Sequence, residues 1–338
     1  MGIMERIIEQ ARADRQKIVL PEAIYEARTI KAGAIIQKEG IADVVFLGKR
    51  AKIEEQIQGM DFSLDGIEFI DHEESDMLGD FADTYNEIRA KEGLTKDQAI
   101  EQMKDPLYFG AMMVKKGKAG GMTCGAYNST ANVLRAAIKI IGPKKGIKTV
   151  SSCFLMIVPD CQYGADGAFI YADCGTVIAP TTQQLADIAV AAADMCKMLI
   201  HTEPYVAMLS FSTKGSASHP YVDKVVEATK IAKEMAPEVK IDGELQGDSA
   251  LIASIASRKC PDSPVAGKAN VLIFPDLNAG NIAYKLTQRL AKADAYGPLV
   301  QGLALPVNDL SRGCSTEDIV QVSAVTAIEA QAIKKSAK

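Results

Sequence analysis

Histidine is scarce: His72, His201 and His219 are the only three in 338 residues. The seven cysteines, at 124, 153, 161, 174, 196, 260 and 314, include no CxxC and no two closer than eight residues. The ligand spacing of a structural zinc site is therefore missing. Acidic residues crowd positions 59–83, but their spacing repeats no calcium loop, and a solvated face is the simpler reading. Neither GxxxxGK[ST] nor GxGxxG occurs, which removes the Walker loop and the dinucleotide fingerprint. No apolar run reaches about 18 residues, and the first 17 residues alternate charged and apolar side chains without a continuous apolar stretch. The expectation is a cytoplasmic protein with no signal peptide and no membrane partner. The arginines form no basic block and the formal charge is -5 at pH 7. This disfavours nucleic acid as a partner and leaves room for a small anion if a few arginines converge on one site.

What is present is a globular composition, 48% hydrophobic with regular glycine and proline punctuation, and length enough for two domains. The segment Gly142-Pro143-Lys144-Lys145-Gly146 is short, stiff and polar, as a boundary should be. Before it, helical spacing predicts helices over 3–12, from Pro21 to Gly40, over 95–103 with Thr95 as cap, and over 108–114. Ser129 or Thr130 caps a further helix through 141. Strands are expected at 17–20, 43–48, 67–70 and 118–125. After the boundary, strands are expected at 149–158, 168–171, 206–211, 239–242, 269–274 and 299–305. Helices are expected at 183–200, 221–235, 249–258 and 280–292, and a final one at 317–333. Strands alternating with helical patterns predict a parallel, doubly wound sheet, whose ligands bind beyond the strand C-terminal edge.

The most chemically dense stretch is Leu310-Ser311-Arg312-Gly313-Cys314-Ser315-Thr316-Glu317-Asp318. A hydroxyl, a guanidinium and a glycine turn feed a helix N-terminus, where free backbone amides favour an anion. A plainer reading stands beside it: Ser315 with Asp318 three residues later fits a capping box, and Arg312 fits a solvated or ion-paired arginine. Cys314, near Arg312 and a helix start, fits a thiol of lowered pKa.

Together with Asp105-Pro106-Leu107-Tyr108-Phe109-Gly110, Asn128-Ser129-Thr130 leading to Arg135, Asp242-Gly243-Glu244-Leu245-Gln246-Gly247-Asp248 and Phe274-Pro275-Asp276-Leu277-Asn278-Ala279-Gly280-Asn281, this stretch resembles the phosphate acetyltransferases, or phosphotransacetylases, of the phosphate acetyl/butyryltransferase family. Ala136 stands where that family commonly has proline. The resemblance implies an α/β fold of two three-layer α/β/α domains with a cleft between them, like isocitrate and isopropylmalate dehydrogenases. The first domain would be 1–144 plus 303–338 and the second 145–302. It implies the reaction acetyl-CoA + phosphate ⇌ CoA + acetyl phosphate by direct transfer, with a phosphate butyryltransferase or another short-chain acyltransferase as the alternative. Carried over residue by residue, Asp318 becomes general base, Ser311 orients the thiol and Arg312 binds phosphate. Arg135, Arg89, Ser129, Thr130 and Asn278 become substrate-binding residues, with Arg28 and Lys285 more peripheral. The expected partners are coenzyme A, acetyl phosphate, inorganic phosphate and a second copy of the chain, with no metal and no tightly bound cofactor. A covalent acetyl-cysteine route through Cys161 or Cys314 is the less favoured alternative to direct transfer, since no histidine is locally paired with Cys314.

Overall fold

A computed structural model describes residues 2–336. Two compact units emerge, Met1–Gly142 with Leu303–Lys338, and Pro143–Gly302.

The first unit opens with α1 (Ile3–Ala13), β1 (Lys17–Leu20), α2 (Ala27–Lys38), β2 (Asp43–Leu47), α3 (Arg50–Glu55) and β3 (Glu68–Ile70). It continues with α4 (Leu78–Ile88), α5 (Lys96–Met103), α6 (Pro106–Lys115), β4 (Gly121–Cys124) and α7 (Thr130–Ile140). Local chemistry sets several of these starts. Thr95 and Gln98 close a capping box on α5, and Pro106 occupies the first turn of α6 behind Asp105, whose carboxylate accepts from the Leu107 amide at 2.8 Å. Pro21 does not open a helix. Residues 21–25 turn instead, and α2 begins after Glu26, whose carboxylate accepts the Arg28 amide. α4 begins inside the acidic stretch 59–83, whose sequence reads as a solvated face, and runs past its end. It buries Phe81, Ala82 and Tyr85 on one face, a stripe that surrounding acids obscure in the sequence.

The second unit contains β5 (Ser151–Ile157), β6 (Ala168–Ala172), α8 (Thr182–Leu199), β7 (Tyr205–Leu209), α9 (Pro220–Met235) and β8 (Lys240–Leu245). Then come α10 (Gly247–Leu251), α11 (Ala253–Lys259), β9 (Val271–Ile273), α12 (Leu277–Leu290) and β10 (Asp294–Gln301). Its sheet runs β10-β5-β6-β9-β7-β8, with β5 antiparallel to both neighbours and the remaining pairs parallel. The expected all-parallel sheet is thus corrected to a mixed one. Residues 158–167 join β5 to β6 without a helix, too short a connection for a parallel crossover. Gly297-Pro298 falls inside β10, where the register shifts. A strand can carry a proline there because β10 is at the sheet edge. The isocitrate/isopropylmalate-dehydrogenase-like fold class that the family resemblance implies is likewise corrected; periodicity supports α/β alone, because strand order and direction come from pairing between distant segments.

The chain then returns to the first unit with β11 (Val307–Asp309) and α13 (Thr316–Ser336). The five strands run β11-β4-β1-β2-β3, every pair parallel. α1, α2 and α13 pack together on the sheet, while α4 to α7 form a separate packed group that reaches it through α6 and α7. With helices over the sheet, Ile18, Val19 and Leu20 are all at 0% exposure, as in a strand buried on both faces. Phe81, Tyr85, Phe109, Met112 and Met122 join one core cluster, each burial worth about 1.5–3 kcal/mol relative to exposure.

Candidate active site

β11, β4 and β1 are neighbours and parallel, so three loops leave one edge of the sheet at their C-terminal ends, where open α/β sheets place ligands. The loop after β1 carries Glu22 and Glu26 and leads into the first turn of α2 with Arg28; the loop after β4 carries Gly125 to Ser129; the loop after β11 carries Leu310 to Ser315. Hydrogen bonds knit the three together. Glu22, 1% exposed, accepts from the amides of Gly125 and Asn128, both at 2.8 Å, and from the Asn128 side chain at 2.9 Å. The Leu310 amide donates to the Cys124 carbonyl at 2.7 Å. Gly125 has φ +110°, and a Cβ there would lie 2.3 Å from Asp309 Oδ1. Only glycine permits this approach of the two loops.

Arg28 is more central than a peripheral charge. Its guanidinium donates to the carbonyls of Arg312 (3.1 Å), Cys314 and Ala126 (3.3 Å). It also grips both Glu26 oxygens, at 2.9 and 2.7 Å. That contact holds the Glu26 carboxyl below its usual range, against the opposing effect of burial. Five donors in a planar fork match this set of acceptors as an ammonium cannot.

The sequence-derived candidates fall into three places. Ser311, Arg312 and Asp318 are exposed on the loop and the first turn of α13. Ser311 Oγ accepts the Gly313 amide at 3.2 Å. The capping box at Asp318 forms: its Oδ2 accepts from the Ser315 amide at 2.7 Å and hydroxyl at 2.9 Å, while the Asp318 amide donates to Ser315 Oγ at 3.1 Å. Oδ1 takes no hydrogen bond among the described residues. Ser129 and Thr130 start α7, Ser129 as N-cap and Thr130 hydrogen-bonded to Asp309. Arg135 lies farther along that helix, exposed, with a bond to Asn132 at 2.9 Å. Arg89 ends α4 and pairs with Glu92. The buried Tyr108 phenol, pushed up to about 12 mainly by burial, feels Arg135 as a lowering charge. Asn278 and Lys285 belong to the second unit, both exposed on α12, where Lys285 Nζ sits 5.2 Å from the Tyr284 ring centre.

Two thiol and carboxyl environments change the sequence-based reading. Burial pushes the Cys314 thiol up to about 11 despite Arg28 beside it, so it is not the low-pKa thiol that its neighbours suggested. Asp309, 1% exposed, accepts Thr130 Oγ1 on Oδ2 at 2.6 Å and has no partner on Oδ1. Burial pushes its carboxyl from 3.8 to about 7; nearby Glu22 adds to the rise, while Thr130 and the Leu310 amide oppose it. Because the folded value lies above the ordinary one, the native state keeps, between about pH 4 and 7, a proton that the unfolded chain has released. Stability therefore falls as pH climbs through that window, and the loss is complete above about 7. Asp309→Asn, uncharged and isosteric, should melt at least about 3 °C above wild type at pH 8, with the gain vanishing near pH 4. A gain equal at both pH values in thermal scans would contradict a titrating Asp309. Sequence reasoning passes over Glu22 and Asp309; their signal was position, Glu22 being an acid just beyond the end of β1 and Asp309 the last residue of β11.

Among the described residues no group of three or more His, Cys, Asp or Glu is placed to hold a metal ion, and no helix is long and apolar enough to cross a membrane. Residues 2–327 match the model of the family described as phosphate acetyl/butaryl transferase. The phosphate acetyltransferase of Acetivibrio thermocellus is 54% identical over 334 residues, covering 99% of this chain and 100% of the relative. A solved phosphotransacetylase from Streptococcus pyogenes superposes with TM-score 0.92 at 40% identity, covering 98% of this chain and 100% of that one. The EutD phosphotransacetylase from Staphylococcus aureus gives 0.89 at 39%, covering 97% and 98%. The fold is the one those two structures share, and it replaces the dehydrogenase-like class expected from the sequence. The chain belongs to the phosphate acetyl/butaryl transferase family.

Proposed function

We propose that the chain catalyses the reversible reaction acetyl-CoA + phosphate ⇌ CoA + acetyl phosphate, with coenzyme A as a substrate rather than a resident cofactor. The observation that carries this is end-to-end likeness to a phosphate acetyltransferase, 54% identical across 99% of the chain.

The loop after β11 supplies the chemistry. In the direction of acetyl-CoA synthesis, the thiol sulfur forms a bond to the acetyl carbon, the bond from that carbon to the phosphate oxygen breaks, and the thiol proton passes to Asp318. Oδ1 is the oxygen available for that proton, since Oδ2 is engaged by Ser315. Ser311 orients the sulfur. Arg312, exposed and without an ion pair among the described residues, takes the phosphate, supported by first-turn amides of α13 that have no intrahelical acceptor. Ordinary carboxylic acids and thiols differ in acidity by about 6 kcal/mol, so proton removal is concerted with carbon-sulfur bond formation rather than preceding it. Arg135, Arg89, Ser129 and Thr130 extend the anion path in the first unit. The protein works in the cytoplasm as a homodimer. An apolar stripe on α12, Ile282, Leu286 and Leu290 at 57, 52 and 80% exposure, suits a second copy.

Phosphate-dependent release of CoA from acetyl-CoA and from butyryl-CoA tests the assignment. A kcat/KM for acetyl-CoA at least about 10-fold the higher is expected. A preference for butyryl-CoA would move the chain to the other branch of its family, and no release from either would end the proposal. Light scattering on the same sample should give twice the chain mass.

A further inference from the structure

We propose that Asp309 is a positioning residue for the reacting loop, its carboxyl tying the strand end that carries Ser311 to the N-terminus of α7 through Thr130. The inference rests on the reading of the Ser311 loop as the place of reaction and adds a residue that this reading does not contain.

Three observations converge on it. First, Asp309 is the last residue of β11 and lies two residues before Ser311, so any tilt of its backbone is passed to the loop with little chain to absorb it. Its neighbour Leu310 is already fixed to the Cys124 carbonyl at 2.7 Å, which leaves the side chain of Asp309 to set the remaining direction. Second, the bond to Thr130 Oγ1 at 2.6 Å crosses from β11 to the first turn of α7, the helix that also bears Ser129 and Arg135. One carboxyl therefore registers the loop of Ser311 and Arg312 against the helix carrying the remaining anion-path residues. Third, the site is built to admit this group. Gly125 leaves room that any Cβ would fill, and the surrounding charges offer no cation to Asp309, only Glu22 as an acid and the buried Cys124 thiol. A carboxyl at 1% exposure with an unpartnered Oδ1 costs stability, as an unsatisfied buried polar atom does. Such a cost is characteristic of a group kept for geometry, since near-attack alignment is sensitive to displacements of about 1 Å.

Asparagine can accept the same Thr130 hydrogen bond, whereas alanine cannot. Rates per folded molecule are measured in both directions for Asp309→Ala, Asp309→Asn, Thr130→Val, the Asp309→Ala/Thr130→Val pair and Ser311→Ala. Asp309→Ala should lower kcat about 30- to 100-fold with KM for CoA and acetyl phosphate within about threefold. Asp309→Asn should stay within about threefold of wild type. Thr130→Val should reproduce the loss, and the double change should be no worse than Asp309→Ala alone. If Asp309→Asn fails as badly as Asp309→Ala, if Asp309→Ala leaves kcat intact, or if the Thr130 and Asp309 effects multiply, the bridge is not what aligns the loop. Ser311→Ala separates this from a deeper failure: loss of activity in Ser311→Ala beside an intact Asp309→Ala overturns the positioning role alone. Full activity in Ser311→Ala overturns the reacting-loop reading and this inference with it.

Discussion

Replacing Asp318 by asparagine should slow acetyl transfer in both directions by about 100- to 10,000-fold, the range for loss of a general acid-base group. The folded state should hardly notice. Asparagine offers one carbonyl oxygen that can occupy the place of Oδ2, accepting from the Ser315 amide and hydroxyl as the carboxylate does at 2.7 and 2.9 Å. Ser315 still receives the amide of residue 318, so α13 keeps its start. What asparagine cannot do is take up a proton from a thiol. The cap and the base are thus separable by a substitution that preserves one and abolishes the other. Acetyl-transfer rates beside circular dichroism and a melting curve decide it. A folded Asp318→Asn protein turning over at the wild-type rate would mean that the carboxylate is a cap and nothing more.

Arg28→Ala should be nearly as damaging, by a different route. The guanidinium holds the Arg312, Cys314 and Ala126 carbonyls at once, and it is the partner of Glu26. Its loss leaves a half-buried carboxylate and loop carbonyls without donors, at a cost of about 2–4 kcal/mol in stability. Turnover should fall about 100-fold because Ser311 and Arg312 lose their fixed direction. Arg28→Lys should recover little, since one ammonium cannot span acceptors on three segments. Steady-state rates with a thermal scan check both variants. Wild-type turnover in a folded Arg28→Lys protein would show that the loop holds its own shape.

The two substitutions also mark what the sequence can and cannot disclose. Thr95 and Ser315 were readable as helix caps because a cap acts over three residues, and the structure finds both in that role; the choice between Ser129 and Thr130 for α7 falls to Ser129. Alternation of strand and helix patterns was readable for the same reason. Pro21 misled because proline fits a helix start and a turn equally well, and the outcome depended on Glu26 capping α2 instead. The acids that brace the site were not readable. Glu22 meets Gly125 across 103 positions and Asp309 meets Thr130 across 179, while Arg28 reaches Arg312 across 284. No local pattern specifies such pairs, and an isolated arginine near the start of a chain carries no mark of a carbonyl near its end. The antiparallel β5 was hidden for a related reason, although the missing helix between β5 and β6 was a clue in plain view.

The pairing of β11 with β4 also imposes an order of events on biosynthesis. β4 is complete when residue 124 leaves the ribosome, yet its partner at Val307–Asp309 is made only after the whole second unit. Domains fold as they emerge, beginning from the N-terminal side, so the nascent first unit waits with β4 as an open sheet border. That border carries unpaired amides and carbonyls able to recruit a strand from another chain. Arg28 stands ready through the same interval with no Arg312 or Cys314 carbonyl to hold. A nascent chain released before residue 307 would consequently lack activity altogether and would be prone to associate through that border.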